Sequence, residues 1–215
     1  MQRLRARFSR EEEIKFISHL DIIRLWQRVF TRARIPVAHS EGYNPHPRIS
    51  LAVPLSVGVT SEAELMDVFL IRPVSPHYFT SAVSQQLPQG IRLLMVSQVG
   101  LNLPALQAVV CFAEYRVVIA TDKNREEVQS TLKHLLAVDS LPWQHQRDTG
   151  PHKYDLRALI DDLWLIDLSA GYATIGMRLR CDSAGSGRPE QVTAALGFTG
   201  YPVATHRTRI IVEAG

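Results

Sequence analysis

The residues best equipped for chemistry cluster in one stretch, His39-Ser40-Glu41-Gly42-Tyr43-Asn44-Pro45-His46-Pro47-Arg48-Ile49-Ser50, which brings together two imidazoles, a carboxylate, a carboxamide and a guanidinium. Imidazole titrates near neutrality and a neighbouring carboxylate raises its pKa, so His39, Glu41 and His46 could move protons while Arg48 stabilises negative charge. Gly42 permits a tight turn, and Pro45 and Pro47 push Asn44 and His46 into extended backbone, so the side chains of Ser40, Tyr43, Asn44 and His46 should project in defined directions. A second group, Ser18-His19-Leu20-Asp21 followed by Arg24, suits the start of a helix, where free amides and the positive dipole end favour an anion. His19, Asp21 and His46 are therefore the candidate acid–base groups. His19, His39 and His46 lack metal-ligand spacing, so no metal and no cofactor is expected.

Much is excluded by what the chain lacks. No nucleophile elbow, phosphate-binding Gly-Lys loop, dinucleotide fingerprint or paired-Cys zinc pattern occurs, which removes most common enzyme classes. Cys111 and Cys181 lie in strand-like runs and read as reduced, buried thiols; two cysteines alone cannot hold an iron–sulfur cluster. No run of eighteen apolar residues and no amino-terminal apolar stretch is present, which predicts a soluble cytoplasmic protein. Residues 1–50 carry ten Lys or Arg against five Asp or Glu, a balance of +5; with +3 for the whole chain, the remainder sums to −2. A cationic field concentrated around the polar loop favours a polyanion, with RNA as the expected partner.

Those residues need elements to hold them. Arg3, Arg5 and Arg7 alternate with Leu4, Ala6 and Phe8, which predicts a strand with one wet, cationic face. A helix capped by Ser18, with Asp21 returning a bond to the cap amide, buries Ile22, Leu25, Trp26, Val29, Phe30 and Ala33 and carries Arg24, Arg28 and Arg32 as a stripe. Pro36 ends it. Extended pieces over 49–59, a strand over 62–71, a helix over 75–87 and a strand over 91–99 follow. The order strand, helix, strand, strand, helix, strand is that of a split βαβ, ferredoxin-like domain.

After the Leu101–Pro104 link the pattern restarts: a strand over 112–120, a helix over 124–137, a polar hairpin or loop over 143–152, strands over 163–168 and 173–181, a Gly185–Gly187 hinge, a helix opening at Arg188-Pro189-Glu190, and a strand over 205–213. The fold class is therefore α+β, two tandem ferredoxin-like domains with antiparallel sheets and helices on one face. They occupy 1–100 and 105–215, the second with an insertion near 140–160. Residues 155–160 could be a strand or one helical turn; if the segment is extended, Asp155 and Arg157 fall on one side, where they could pair with each other or with the first half.

Phe16-Ile17-Ser18-His19-Leu20-Asp21 together with Ser40-Glu41-Gly42-Tyr43-Asn44-Pro45-His46-Pro47-Arg48-Ile49-Ser50 resembles the bacterial family of radical-SAM-linked proteins, whose members occur alone or fused behind a radical SAM protein with a cobalamin-binding region. Leu55-Ser56-Val57-Gly58, Asp155-Leu156-Arg157 and Arg188-Pro189-Glu190 add to the likeness. Glu41 stands where Gln is the more usual residue. The resemblance implies a partner role beside a radical SAM enzyme.

Two functions then compete. In the first, a non-catalytic accessory protein, Arg3, Arg5, Arg7, Ser18, His19, Arg24, the 40–48 loop, Asp155 and Arg157 hold an anionic substrate, RNA, for the partner enzyme, with strand arginines on phosphates and Tyr43 stacked on a base. In the second, an RNA-acting enzyme uses His19 or His46 as acid or base with Arg48 or Arg24 stabilising charge; tandem ferredoxin-like domains are similar in architecture to CRISPR repeat-processing endoribonucleases. The first is preferred, with His46 as a ligand contact.

Overall fold

The computed structural model describes residues 1–147, 150–198 and 200–213. The chain is α+β and divides into two compact units, Met1–Val110 and Cys111–Gly215. The division falls just after a four-residue helix that follows the Leu101–Pro104 segment.

In the first unit, β1 (Gln2–Arg10), α1 (His19–Arg32), β2 (Ile49–Leu51), β3 (Thr60–Leu70), α2 (Pro76–Ser84), β4 (Leu93–Val99) and α3 (Leu106–Val109) follow in order. The sheet runs β2-β3-β1-β4 with every neighbouring pair antiparallel. Even-numbered residues of β1 and β3 face the helices. Leu4, Ala6, Phe8, Met66, Val68 and Leu70 are fully buried there against Ile22, Trp26, Val29 and Phe30 of α1 and Phe79 and Val83 of α2. Phe8, Trp26, Phe30 and Phe79 form a chain of ring contacts 5.0–5.6 Å apart, within the range where aromatic pairs add to area burial. The extended reading of 49–59 shortens to three residues: β2 stops at Leu51, before Pro54, which has no amide to give a ladder.

The second unit contains β5 (Val110–Ala120), α4 (Arg125–Ala137), a hairpin of β6 (Pro142–Arg147) and β7 (Gly150–Asp155), then β8 (Ile160–Ser169), β9 (Tyr172–Asp182), β10 (Gly185–Ser186), α5 (Pro189–Ala195) and β11 (Ala204–Val212). Residues 148 and 149 of the expected polar insertion lie outside the described residues. β9 pairs with β5 along one edge and with β8 and β10 along the other, and β11 lies beyond β5. Asn124 and Glu127 close a reciprocal capping box on α4. The Gly185–Gly187 hinge is instead packed structure. Gly185 and Ser186 pair with Asp182 and Cys181, and a Cβ on Gly187 would lie 2.9 Å from the Leu159 carbonyl oxygen.

Candidate functional site

The three strand arginines do not form a wet cationic face. Their odd-numbered phase is right, but Asp67 stands across from Arg5 on β3 and accepts from both Arg3 (Nε, 3.0 Å) and Arg5 (Nε, 2.8 Å). Asp67 is 0% exposed and Arg3 2%; Arg3 also donates to the carbonyls of Leu103 and Pro104. A carboxylate this buried is stable as an ion only because two guanidiniums meet it, so Arg3 and Arg5 are committed to the fold. Arg7, at the end of the row, remains exposed.

At the start of α1, Ser18 is the cap, its hydroxyl accepting from the Asp21 amide at 3.2 Å. The carboxylate of Asp21 accepts from the Ser18 hydroxyl at 2.7 Å, in place of the expected bond to the cap amide. It also takes an ion pair from Arg24 at 3.1 Å. The Ser18 and Arg24 bonds hold the Asp21 carboxyl below the usual aspartate range. Beneath this cap lie two charged residues that are not among the sequence-based candidates. Arg10, 1% exposed, donates to the Ile17 carbonyl at 2.8 Å, and Glu64 is 5% exposed. Burial lowers the His19 pKa first, the Arg10 charge lowers it further, and the Glu64 charge opposes both. His19 is thus a neutral imidazole near pH 7. The signal for the two charges is legible: Arg10 continues the core phase of Leu4, Ala6 and Phe8, and Glu64 that of Met66, Val68 and Leu70, so both are charges at positions reserved for apolar side chains.

The 33–48 connection leaves α1 through Arg34, which has φ +53°, and runs along the edge of β3. Val37 bridges Leu70, the Ala38 amide donates to the Phe69 carbonyl, and the Phe69 amide donates to the Arg48 carbonyl. Arg48 lays its guanidinium 4.2 Å from the centre of the Phe69 ring. Above these anchors the loop closes on itself: the Ser40 amide donates to the His46 carbonyl at 2.8 Å, and the His46 amide to the Ser40 hydroxyl at 3.0 Å. Gly42, with φ +127°, supplies a turn conformation that side chains resist. Glu41, Tyr43, Asn44 and His46 are exposed at the tip, Tyr43 completely.

Asp155 and Arg157 are absorbed by their own unit. Asp155 accepts from the amides of Leu141 (2.8 Å) and Arg157 (2.9 Å), bonds that hold its carboxyl below the usual range, the Leu141 bond foremost. The Arg157 guanidinium donates to the carbonyls of Leu136, at the end of α4, and Ile160. They form neither the expected ion pair nor an open anion site. His19, His39 and His46 are not gathered into a ligand set; among the described residues no group of three His, Cys, Asp or Glu could hold a metal ion. Burial pushes the Cys181 thiol up to about 12, so it is inert as a nucleophile. Among the described residues no helix is long and apolar enough to cross a membrane.

Comparison with known proteins adds a family and a fold. A family model described as "Uncharacterized protein conserved in bacteria (DUF2344)" matches residues 3–189. No curated protein matches the chain. Among solved structures, a chain from the "Crystal Structure of a Cbf5-Nop10-Gar1 Complex" superposes with a TM-score of 0.53 at 7% identity, covering 96% of this chain and 48% of that one. One from the "Structure of H/ACA RNP bound to a substrate RNA containing 2'-deoxyuridine" gives 0.50 at 7% identity, over 96% and 47%. The chain spans about half the length of these solved chains, and at this identity the likeness is one of fold.

Proposed function

We propose, from the premise that the chain belongs to the bacterial family DUF2344 over residues 3–189, that it is an accessory protein that binds RNA and presents it to a radical SAM enzyme. The observation that carries the RNA part is the exposure of the arginine row on α1 and of the polar tip of the connection after it. Arg28 and Arg32 are exposed, and among the described residues no carboxylate pairs with either; Arg24 extends their row, and Tyr43 on the closed loop is fully exposed. Arginines spaced four apart on an exposed helix suit phosphates, and a solvent-exposed tyrosine on a preorganised loop suits stacking on an unpaired base. One of the similar folds comes from an RNP bound to a substrate RNA, which agrees with this reading. The radical SAM partner rests on the Phe16–Asp21 and Ser40–Ser50 blocks. The tandem ferredoxin-like description belongs with the same proposal; its support is that strand, helix and strand order recur in both units.

The test is affinity for single-stranded RNA over a range of salt. Binding should weaken as salt rises, and the paired change Arg28→Ala and Arg32→Ala should reduce the logarithmic salt slope by about 0.7 for each phosphate no longer neutralised. Affinity that is flat in salt sinks the reading. Catalysis has one observation in its favour, the neutral His19 imidazole beside buried Arg10 and Glu64. If RNA incubated with the protein is cleaved or modified, and His19→Gln abolishes that while binding persists, the accessory role gives way to an enzymatic one.

A further inference from the structure

We infer that the cleft between α1 and the 33–48 connection is a pocket for a single nucleobase, an inference that rests on the RNA-binding reading and adds a base subsite to its phosphate row. The cleft encloses about 140 Å³. That is below the roughly 300–1,000 Å³ of sites for drug-sized ligands and cofactors, and matches one planar ring. Phe30 and Ile35, both buried, form its depth, and Pro36 and Pro47 stand half-buried at its sides. Flat rings and aliphatic surface of this kind accept the face of a base. The rim is polar: Gln27 and His39 line it, and among the described residues neither side chain has a hydrogen-bond partner. A carboxamide offers a donor and an acceptor side by side, the arrangement that reads a base edge, and the imidazole adds two ring nitrogens capable of hydrogen bonding.

Position on the helix ties the cleft to the backbone site. Gln27 and Thr31 form one row of α1, and Arg24 and Arg28 lie three residues from them on the adjoining row. An RNA strand with its phosphates on Arg24, Arg28 and Arg32 can therefore drop one unstacked base over the rim. Thr31 donates its hydroxyl to the Gln27 main-chain carbonyl at 2.9 Å, a bond that does not engage the Gln27 carboxamide.

The experiment compares three single-stranded probes of equal length, oligoadenylate, oligouridylate and an abasic ribose-phosphate oligomer, on the full chain. At least one base-bearing probe should bind about fivefold or more tighter than the abasic one, the lower end of what stacking a base contributes. Gln27→Leu, which keeps the shape and removes the carboxamide, and Thr31→Trp, which fills the cleft from an exposed position, should each erase most of that preference while the salt slope stays unchanged. Circular dichroism establishes that both variants fold. Equal binding of all three probes with a normal salt slope overturns the base pocket and leaves the phosphate row standing. A base preference untouched by both variants places the base elsewhere and also overturns it. No salt-dependent binding of any probe removes both claims together.

Discussion

Both units insert a long polar connection after their first helix, between α1 and β2 in one and between α4 and β8 in the other, yet the two connections use key polar groups in opposite ways. In the second unit the connection is the β6–β7 hairpin, with Trp143 opposite Tyr154 and His145 opposite His152. Gln144, His152 and Lys153 are exposed, but the polar groups at its base bind their own unit: Tyr154 donates to Gln191 at 2.5 Å, Asp155 accepts two amides, and Arg157, just after it, ties α4 to the start of β8. In the first unit, backbone bonds and one serine hydroxyl fix the connection, and the remaining polar side chains at its tip face water. A polar residue spent on the fold cannot also recognise a ligand without a stability cost, so the first connection is the one available for recognition. The same distinction divides the arginines, with Arg3 and Arg5 spent on Asp67 and Arg28 and Arg32 left exposed.

Mutations at spent and unspent positions should separate sharply. The largest effect belongs to Asp67→Asn, which leaves the buried Arg3 without its counter-charge and should destabilise the first unit by about 3–5 kcal/mol, read from denaturant unfolding. Arg157→Met keeps the apolar stem but strands the carbonyls of Leu136 and Ile160, and should cost about 1–3 kcal/mol. A stability equal to wild type would erase the contrast between the two connections. His19 should give a smaller, pH-dependent signal. Its folded pKa lies below its unfolded value of about 6.5, so the unfolded chain binds the extra proton, and stability is lost as pH falls through that window. His19→Gln should flatten that part of the pH–stability curve. Tyr43→Ala and His46→Ala should stay within about 0.5 kcal/mol of wild type while lowering RNA affinity; a large stability loss would place the loop among the spent residues instead.

Local rules make much of this legible from sequence. Period two separates Leu4, Ala6 and Phe8 from Arg3, Arg5 and Arg7, helical spacing identifies the buried face of α1, and Ser18 is readable as a cap. Non-local chemistry is not. Which carboxylate meets Arg3 depends on β3 lying beside β1, a pairing between residues more than sixty positions apart, and nothing near Arg3 encodes it. For the same reason the odd face reads as wet. Arg157 looks like an ion-pair partner for Asp155 only if the segment is extended; of the two readings open for 155–160, the short helical turn is the one formed, at 157–159, and it removes the alternation that pairing needs. The cleft beside α1 is invisible in the sequence because it is built from Phe30 and Ile35, residues that any helix end would bury, and from prolines whose sides meet only in space.

The Ser40–His46 closure has an evolutionary consequence. Because the ring of residues 40–46 is sealed by main-chain atoms and one hydroxyl, the identities of Glu41, Tyr43, Asn44 and Pro45 contribute little to holding it shut. Gly42 is the exception, since its φ of +127° penalises any replacement. Selection can therefore vary four of the five tip residues with little effect on foldability, so this surface can diverge in ligand preference while the scaffold beneath it is inherited unchanged.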